Sequence, residues 1–224
     1  MKIANAVFVF TLSLTLASFA TSPKNTPDSL LTPTTDSTGC NDLHSFSASF
    51  NGPLKLWTSS FNNFKLSGFC RGNTAAFEHI GSKDFSQYKA FLAVYKPLLS
   101  YSRDGSWFVD IHSALNLEKK GDHYETDPDV DQPVWLCNPT MKYWERIYFG
   151  TPHEWVDEVV WVSDNTFILA GSQEAADAKR SPVILLGNTQ TKTFTRYVMR
   201  NAKCLQKESG YQSPTLKKMN IEGV

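Results

Sequence analysis

From Leu98 onward, apolar and polar positions alternate with a period near two, and the alternation is broken at intervals by Asp, Asn, Gly and Lys. This pattern predicts short, half-buried strands joined by tight turns. The pattern also occurs twice. Residues 101–111 (YSRDGSWFVDI) are echoed by 161–171 (WVSDNTFILAG), and residues 134–147 (VWLCNPTMKYWERI) by 184–197 (ILLGNTQTKTFTRY). The first echo has an offset of 60 residues and the second of 50, so the segment between the halves of the first unit is the longer one. Each unit reads as strand, polar turn, strand, variable loop, strand, Asn-led turn, strand, over about 98–149 and 157–198. Asp104 and Asp164 should occupy equivalent turns, where Asp, Asn and Gly supply local hydrogen bonds or positive φ.

Ahead of the repeats the pattern changes. Phe46/Ala48/Phe50, Leu54/Leu56 and Phe64/Leu66, punctuated by Gly52-Pro53, Asn62-Asn63 and Gly68, predict further short strands between 45 and 69. Residues 74–80 predict one helical turn stopped at Gly81. Asp84 to Lys96 is the strongest helical segment. Phe85, Tyr88, Leu92 and Tyr95 share one face, Ser82 or Asp84 can cap the start, and Pro97 ends it. Its aromatic face is expected to pack on a sheet.

These elements predict a mainly β chain of antiparallel meander units with one helix in the N-terminal half, or alternatively a β-sandwich with a packed helix. The string Ser102-x-Asp104-Gly105-x-Trp107-Phe108, followed by an apolar strand, Asn138, a turn bearing Lys142, and Trp144-x-Arg146, resembles a β-propeller blade. TolB-like propellers are the closest likeness, over roughly 98–198. That resemblance implies stacked four-stranded blades. A closed propeller uses about four to eight of them, whereas two stand out here. Propellers host many functions, so the likeness implies no activity.

Composition adds a compartment. Lys2, the apolar run Val7–Leu16 and Ser18-Phe19-Ala20 have the layout of a secretory signal peptide, with cleavage expected after Ala20. Residues 21–39 hold nine Ser/Thr and three Pro and read as a flexible leader. Residues 40–204 then form a single globular β-rich domain, and 205–224 a polar tail. No later apolar run reaches the ~20 residues of a membrane helix, so the chain is expected not to be membrane-integrated. Four cysteines in an exported chain suggest two disulfides. The preferred pairing is Cys40–Cys70 with Cys137–Cys204, one in each lobe and no free thiol. No Asn-x-Ser/Thr sequon with a permitted middle residue occurs, since Asn138-Pro139-Thr140 has Pro there, and this fits a bacterial envelope, periplasmic or extracellular. Twenty-two Lys/Arg against 22 Asp/Glu argue against a nucleic-acid partner, which would favour a basic stripe.

Candidate chemistry is sparse. Residues 122–131 carry five carboxylates, and Asp127, Asp129 and Asp131 copy positions one, three and five of a calcium loop. Gln132 stands where that loop needs Gly, and Asn138 where it needs Glu, so a solvated acidic loop is the expectation. His153-Glu154-Trp155-Val156-Asp157 begins like an HExxH zinc motif but ends in Asp, and it runs into a strand. No nucleophile elbow, Walker loop or dinucleotide fingerprint occurs. The five histidines, His44, His79, His112, His123 and His153, are each unpaired locally. A site uniting His112, His123 or His153 with the acidic loop in one cleft would point to hydrolysis. Trp107, Trp135 and Trp144 match Phe167, Leu185 and Phe194 in the second unit, so these aromatics, with Tyr143, Trp155 and Trp161, are expected in the core and not on a sugar-stacking surface. No metal or cofactor is expected. The expectation is an exported, non-catalytic binding or scaffold protein of unknown protein or envelope ligand, with a cell-envelope hydrolase as the alternative.

Overall fold

The computed structural model describes Cys40 and residues 42–221. The signal-peptide and leader assignments lie outside the described residues. The described chain is mainly β and antiparallel. Strands β2 (Ser100–Tyr101), β3 (Phe108–Asp110), β6 (Gln132–Asn138) and β7 (Tyr143–Gly150) form a four-stranded sheet in the order β2-β3-β6-β7. Strands β8 (Glu154–Trp161), β9 (Thr166–Glu174), β10 (Arg180–Asn188) and β11 (Thr193–Met199) form the second meander. The early strand β1 (Phe69–Ala76) adds to it as a fifth, on the β11 edge. A hairpin of β4 (Glu118–Lys120) and β5 (His123–Glu125) fills the longer insertion of the first unit.

The two meanders share their turn chemistry. Asn138 accepts a hydrogen bond from the Met141 amide, and Asn188 accepts from the Gln190 and Thr191 amides. Lys142 and Lys192 then leave each turn with the same left-handed φ of 54°. Asp104 closes its own turn by accepting from Ser102 Oγ and the Ser106 amide, and its backbone N–H donates to the Asp164 carboxylate at 3.1 Å. Equivalent turns of the two units therefore touch.

Pairing corrects the first echo by one residue. Tyr101 opposes Phe108, whereas Trp161 opposes Phe167, so the first turn is one residue longer. The equivalent cross-strand rows are Phe108–Cys137–Trp144 and Phe167–Gly187–Phe194. Phe167, not its neighbour in the sequence alignment, is thus the counterpart of Phe108. A one-residue slip moves a side chain to the other face of a strand. The corrected rows show how the units stack. Phe108, Cys137 and Trp144 face away from the second sheet, while Phe167 and Phe194 face the first and meet Val109, Ile111, Val134 and Leu136. The front of the second meander lies on the back of the first, head to tail, as neighbouring propeller blades do. No ring closes among the described residues; the outer faces are covered by helices.

The front of the first sheet carries α3 (Tyr88–Tyr95), whose Phe91 and Tyr95, with the flanking Phe85, pack around Trp144 and Phe108. Asp84 caps the entry by accepting from the Ser86 amide and hydroxyl, and Pro97 sits in the closing 3-10 turn. The back of the second sheet carries α1 (Ser47–Asn51) and α2 (Lys55–Ser59), with 3-10 turns at Asp42–Phe46 and Leu66–Gly68. This corrects the expectation of strands over 45–69. Leu43, Phe50, Leu54, Trp57 and Phe61 recur at helical spacing and are the buried positions, packing on Ile168, Ala170, Ile184 and Tyr197. The helical turn expected over 74–80 is also absent: 69–76 pairs with β11, and 77–83 runs along β7 through bonds such as Lys83 N to Trp144 O. Tertiary pairing overrides a weak local signal there.

Cys40 and Cys70 are joined. Cys137 and Cys204 are buried free thiols, which corrects the expectation of a second bridge. Cys137 lies under α3 and Cys204 beside α1 and α2, with both sheets between them. No disulfide spans that separation; each thiol packs as a small apolar group. Burial pushes Cys137 up to about 12 and Cys204 up to about 11. The one bridge fits an oxidising, exported environment, and among the described residues no helix is long and apolar enough to cross a membrane.

Candidate functional site

A recess lies over α1, α2 and the bend that follows them. The chain makes it because Gly52-Pro53 breaks the helical run, so α1 and α2 dock separately on the sheet and leave a trough at their side. Phe50 and Phe61 form its buried floor, and Phe64 packs edge-on against Trp57 at 5.6 Å. The tail after Cys204 supplies one wall. Asn62 N donates to Leu205 O, Lys207 N to Ser60 O, and Lys207 Nζ to Ser59 O at 2.6 Å. Lys207 thereby satisfies carbonyls at the C-terminus of α2, where a cation is also favoured by the helix dipole.

The recess has a volume of about 600 Å³ and opens to solvent. It adjoins a second of about 380 Å³ bounded by Leu56, Gly210 and Tyr211, and Ser59 and Lys207 line both. Among the described residues, His44, Lys65, Lys207 and Lys217 line the pair and no carboxylate does. Glu208, between Lys207 and Ser209, is exposed, whereas three other carboxylates near α1 and α2 are engaged elsewhere. Asp42 faces Arg71 at 3.8 Å. Glu158 accepts from Tyr211 OH and Ser213 Oγ, both at 2.7 Å. Asp157, the bulge residue of β8, accepts from Trp57 Nε1 at 3.1 Å beneath α2. Burial pushes its carboxyl up to about 7, against the Trp57 indole N–H and the Arg180 charge, which favour the anion.

A smaller cleft of about 160 Å³ lies between the sheets, lined by His112, Glu158, Ser100 and Thr215. Burial depresses His112 to about 4, with Asp110 pulling weakly the other way, so the ring is neutral at pH 7. Ser100 Oγ donates to Val159 O, and among the described residues no hydrogen bond joins the His112 ring to a hydroxyl or thiol. The arrangement offers one base and one carboxylate without an engaged nucleophile.

The sequence candidates disperse. Asp127 and Asp129 are exposed, and the loop is tied down by its backbone, with the Asp127 and Asp129 amides donating to Leu115 O and Ala114 O. Among the described residues no three His, Cys, Asp or Glu side chains converge as a metal site would require. The zinc-like string splits three ways: His153 pairs with Glu174 on the surface, Glu154 turns between the sheets to Arg196, and Asp157 turns the other way to Trp57. His79 meets Glu145 at 2.5 Å, His123 lies 3.5 Å from Asp122, and His44 sits at the recess. His112 is in a cleft, but with Glu158 and not the acidic loop. Trp107, Trp144 and Trp161 are buried in the core; Trp135, Trp155 and Tyr143 are half-buried. Lys65, Lys207 and Lys217 were not legible as a group, since 142 residues separate the first two in sequence and no motif links them.

Two buried polar clusters are structural. Arg196 makes a two-pronged pair with Glu154 at 2.5 Å and also reaches Gln173, with Tyr148 OH donating to Glu154. Gln132 stitches the two sheets, donating to Ile111 O and Val156 O and accepting from the Val156 amide.

Comparison of the chain with protein-family models, with curated proteins and with solved structures gives no match.

Proposed function

We propose that the protein is an exported, non-catalytic binding module of a bacterial envelope, and that it binds through the paired recesses over α1 and α2. The observation that carries this reading is the segregation of charge. The chain has 22 basic and 22 acidic residues, yet among the described residues the lining of this recess and its neighbour holds three lysines and a histidine and no carboxylate. The strongest internal ion pair, by contrast, is spent on holding the fold. Sites of this kind, a trough with a few convergent polar groups, are where ligands settle. The test is retention of envelope components by the immobilised mature protein and by a Lys65→Gln/Lys217→Gln variant. Material held by the first and released by the second supports the reading; identical retention by both refutes it.

A hydrolytic reading has one observation in its favour, the neutral His112 ring beside Glu158 in a cleft. It requires turnover of an ester or glycoside that disappears in His112→Gln while the melting temperature stays within a few degrees.

A further inference from the structure

We propose that the paired recesses bind an acidic polysaccharide, with Lys65, Lys207 and Lys217 meeting successive sugar carboxylates. This rests on the reading of those recesses as the ligand site. Three features select the chemistry. The first is charge: among the described residues three lysines and no carboxylate line the two adjoining recesses, which attracts an anion from a distance. The second is the remaining lining. Ser47, Ser67 and Asn51 offer hydroxyls and an amide that pair with sugar hydroxyls in either direction, while Thr58 and Asn63 already donate to Lys55 O and Lys203 O and keep their oxygens as acceptors. The third is shape. The recesses are open and share Ser59 and Lys207 in their linings, which suits an extended ligand better than a small metabolite that would want an enclosed pocket.

The same lining disfavours other polyanions. Two-pronged phosphate recognition draws on Arg forks, and among the described residues no Arg lines either recess; lysines hold phosphate as point charges, so the phosphate hexamer is the discriminating arm of the test. Single-stranded nucleic acid is gripped by stacking its bases on exposed rings; here Phe50 and Phe61 are buried, and Phe64 and Tyr211 are half-buried. Lys207 is held by Ser59 O and keeps two N–H donors for a ligand carboxylate. Lys65 and Lys217 are exposed, so their charges can be removed without disturbing packing.

The experiment is calorimetric titration of the full mature chain with hexamers of galacturonic acid, of galactose and of phosphate. The galacturonate hexamer should bind, weaken as salt rises, and lose about tenfold in affinity in Lys65→Gln/Lys217→Gln, as two exposed charge contacts imply. The melting temperature of the variant should match the native one. Tighter binding of the phosphate hexamer, or equal binding of the galactose hexamer, overturns the acidic-sugar inference. If galactose binding is then lost in Asn51→Ala/Asn63→Ala, the recess as a binding site survives. If neither pair of substitutions alters the binding of any hexamer or the retention of envelope material, both readings fall.

Discussion

Replacing Asp157 by Asn removes a titrating group while leaving an oxygen to accept from the Trp57 indole. The Asp157 carboxyl is raised from 3.8 to about 7 because α2 covers it. Between those values the folded chain holds a proton that the unfolded chain releases, so stability falls as pH rises and levels off above about 7. Roughly 3 pH units at 1.36 kcal/mol each amount to about 4 kcal/mol. His112 acts in the opposite direction. It is depressed from 6.5 to about 4, so the unfolded chain takes up a proton first on acidification. That contribution is fully present above 6.5 and is lost as pH falls through about 4, a span of about 3 kcal/mol. Over pH 4 to 6.5 the two slopes oppose each other, and the native protein should vary little from these groups. In Asp157→Asn the His112 slope stands alone, and stability should rise by about 3 kcal/mol from pH 4 to 6.5 relative to native. His112→Gln should show the reverse, and the double variant should be level again. Urea unfolding at half-unit steps of pH, with constant m-values, measures each curve. An Asp157→Asn curve parallel to the native one would refute the burial of that carboxyl as described.

Titration of the denatured, unreduced protein should find two thiols, Cys137 and Cys204, and the native protein should react slowly with both; none or four would contradict the structure. Asp127→Asn with Asp129→Asn should change stability by no more than about 0.5 kcal/mol, as at ordinary surface positions, and calcium should leave the melting temperature unmoved in either form. Arg196→Met should cost about 3–5 kcal/mol in chemical denaturation, because it strands the half-buried Glu154 between the sheets; a loss below 1 kcal/mol would show the pair is not needed. Gly171→Ala would place a Cβ 2.2 Å from the Trp155 carbonyl oxygen, a backbone atom beside the β8 bulge, and should cost at least about 1–3 kcal/mol.

The meanders were legible because turn chemistry is local. Asp104-Gly105, Asn138 and Asn188 close their turns within a few residues, and the left-handed Lys142 and Lys192 stand at matching offsets. The α3 helix was legible for the same reason, through its cap at Asp84 and its aromatic stripe. Misreadings arose where the deciding partner was distant. Residues 45–69 carry both a period-two and a helical pattern, and docking on Ile168 and Ile184 selects the second. Cysteine parity suggested two bridges, but layer order keeps Cys137 and Cys204 apart. Lys65 and Lys207 line the same recess only because the tail folds back along α2, which no local spacing records.

Head-to-tail stacking explains why the unrepeated segments exist and why they differ. Two identical faces packed together would leave two identical faces outside. Here the front of one sheet is covered by the back of its neighbour, so one front and one back remain, and they are chemically different. The front presents Phe108, Cys137 and Trp144; the back presents Ile168, Ala170, Ile184 and Tyr197. In a ring, further blades would cover both. In an isolated pair each face needs its own cover, because leaving a side chain such as Trp144 or Ile184 in water costs about 1.5–3 kcal/mol. The aromatic α3 segment meets the first requirement, and α1 with α2 meets the second. The repeats themselves spend their polar groups on turns and on the Gln132 and Arg196 stitches between the sheets. The covering layers differ in turn: the break at Gly52-Pro53 and the returning tail shape the α1–α2 layer, and the same tail packs Leu216, Met219 and Ile221 against the α3 cluster.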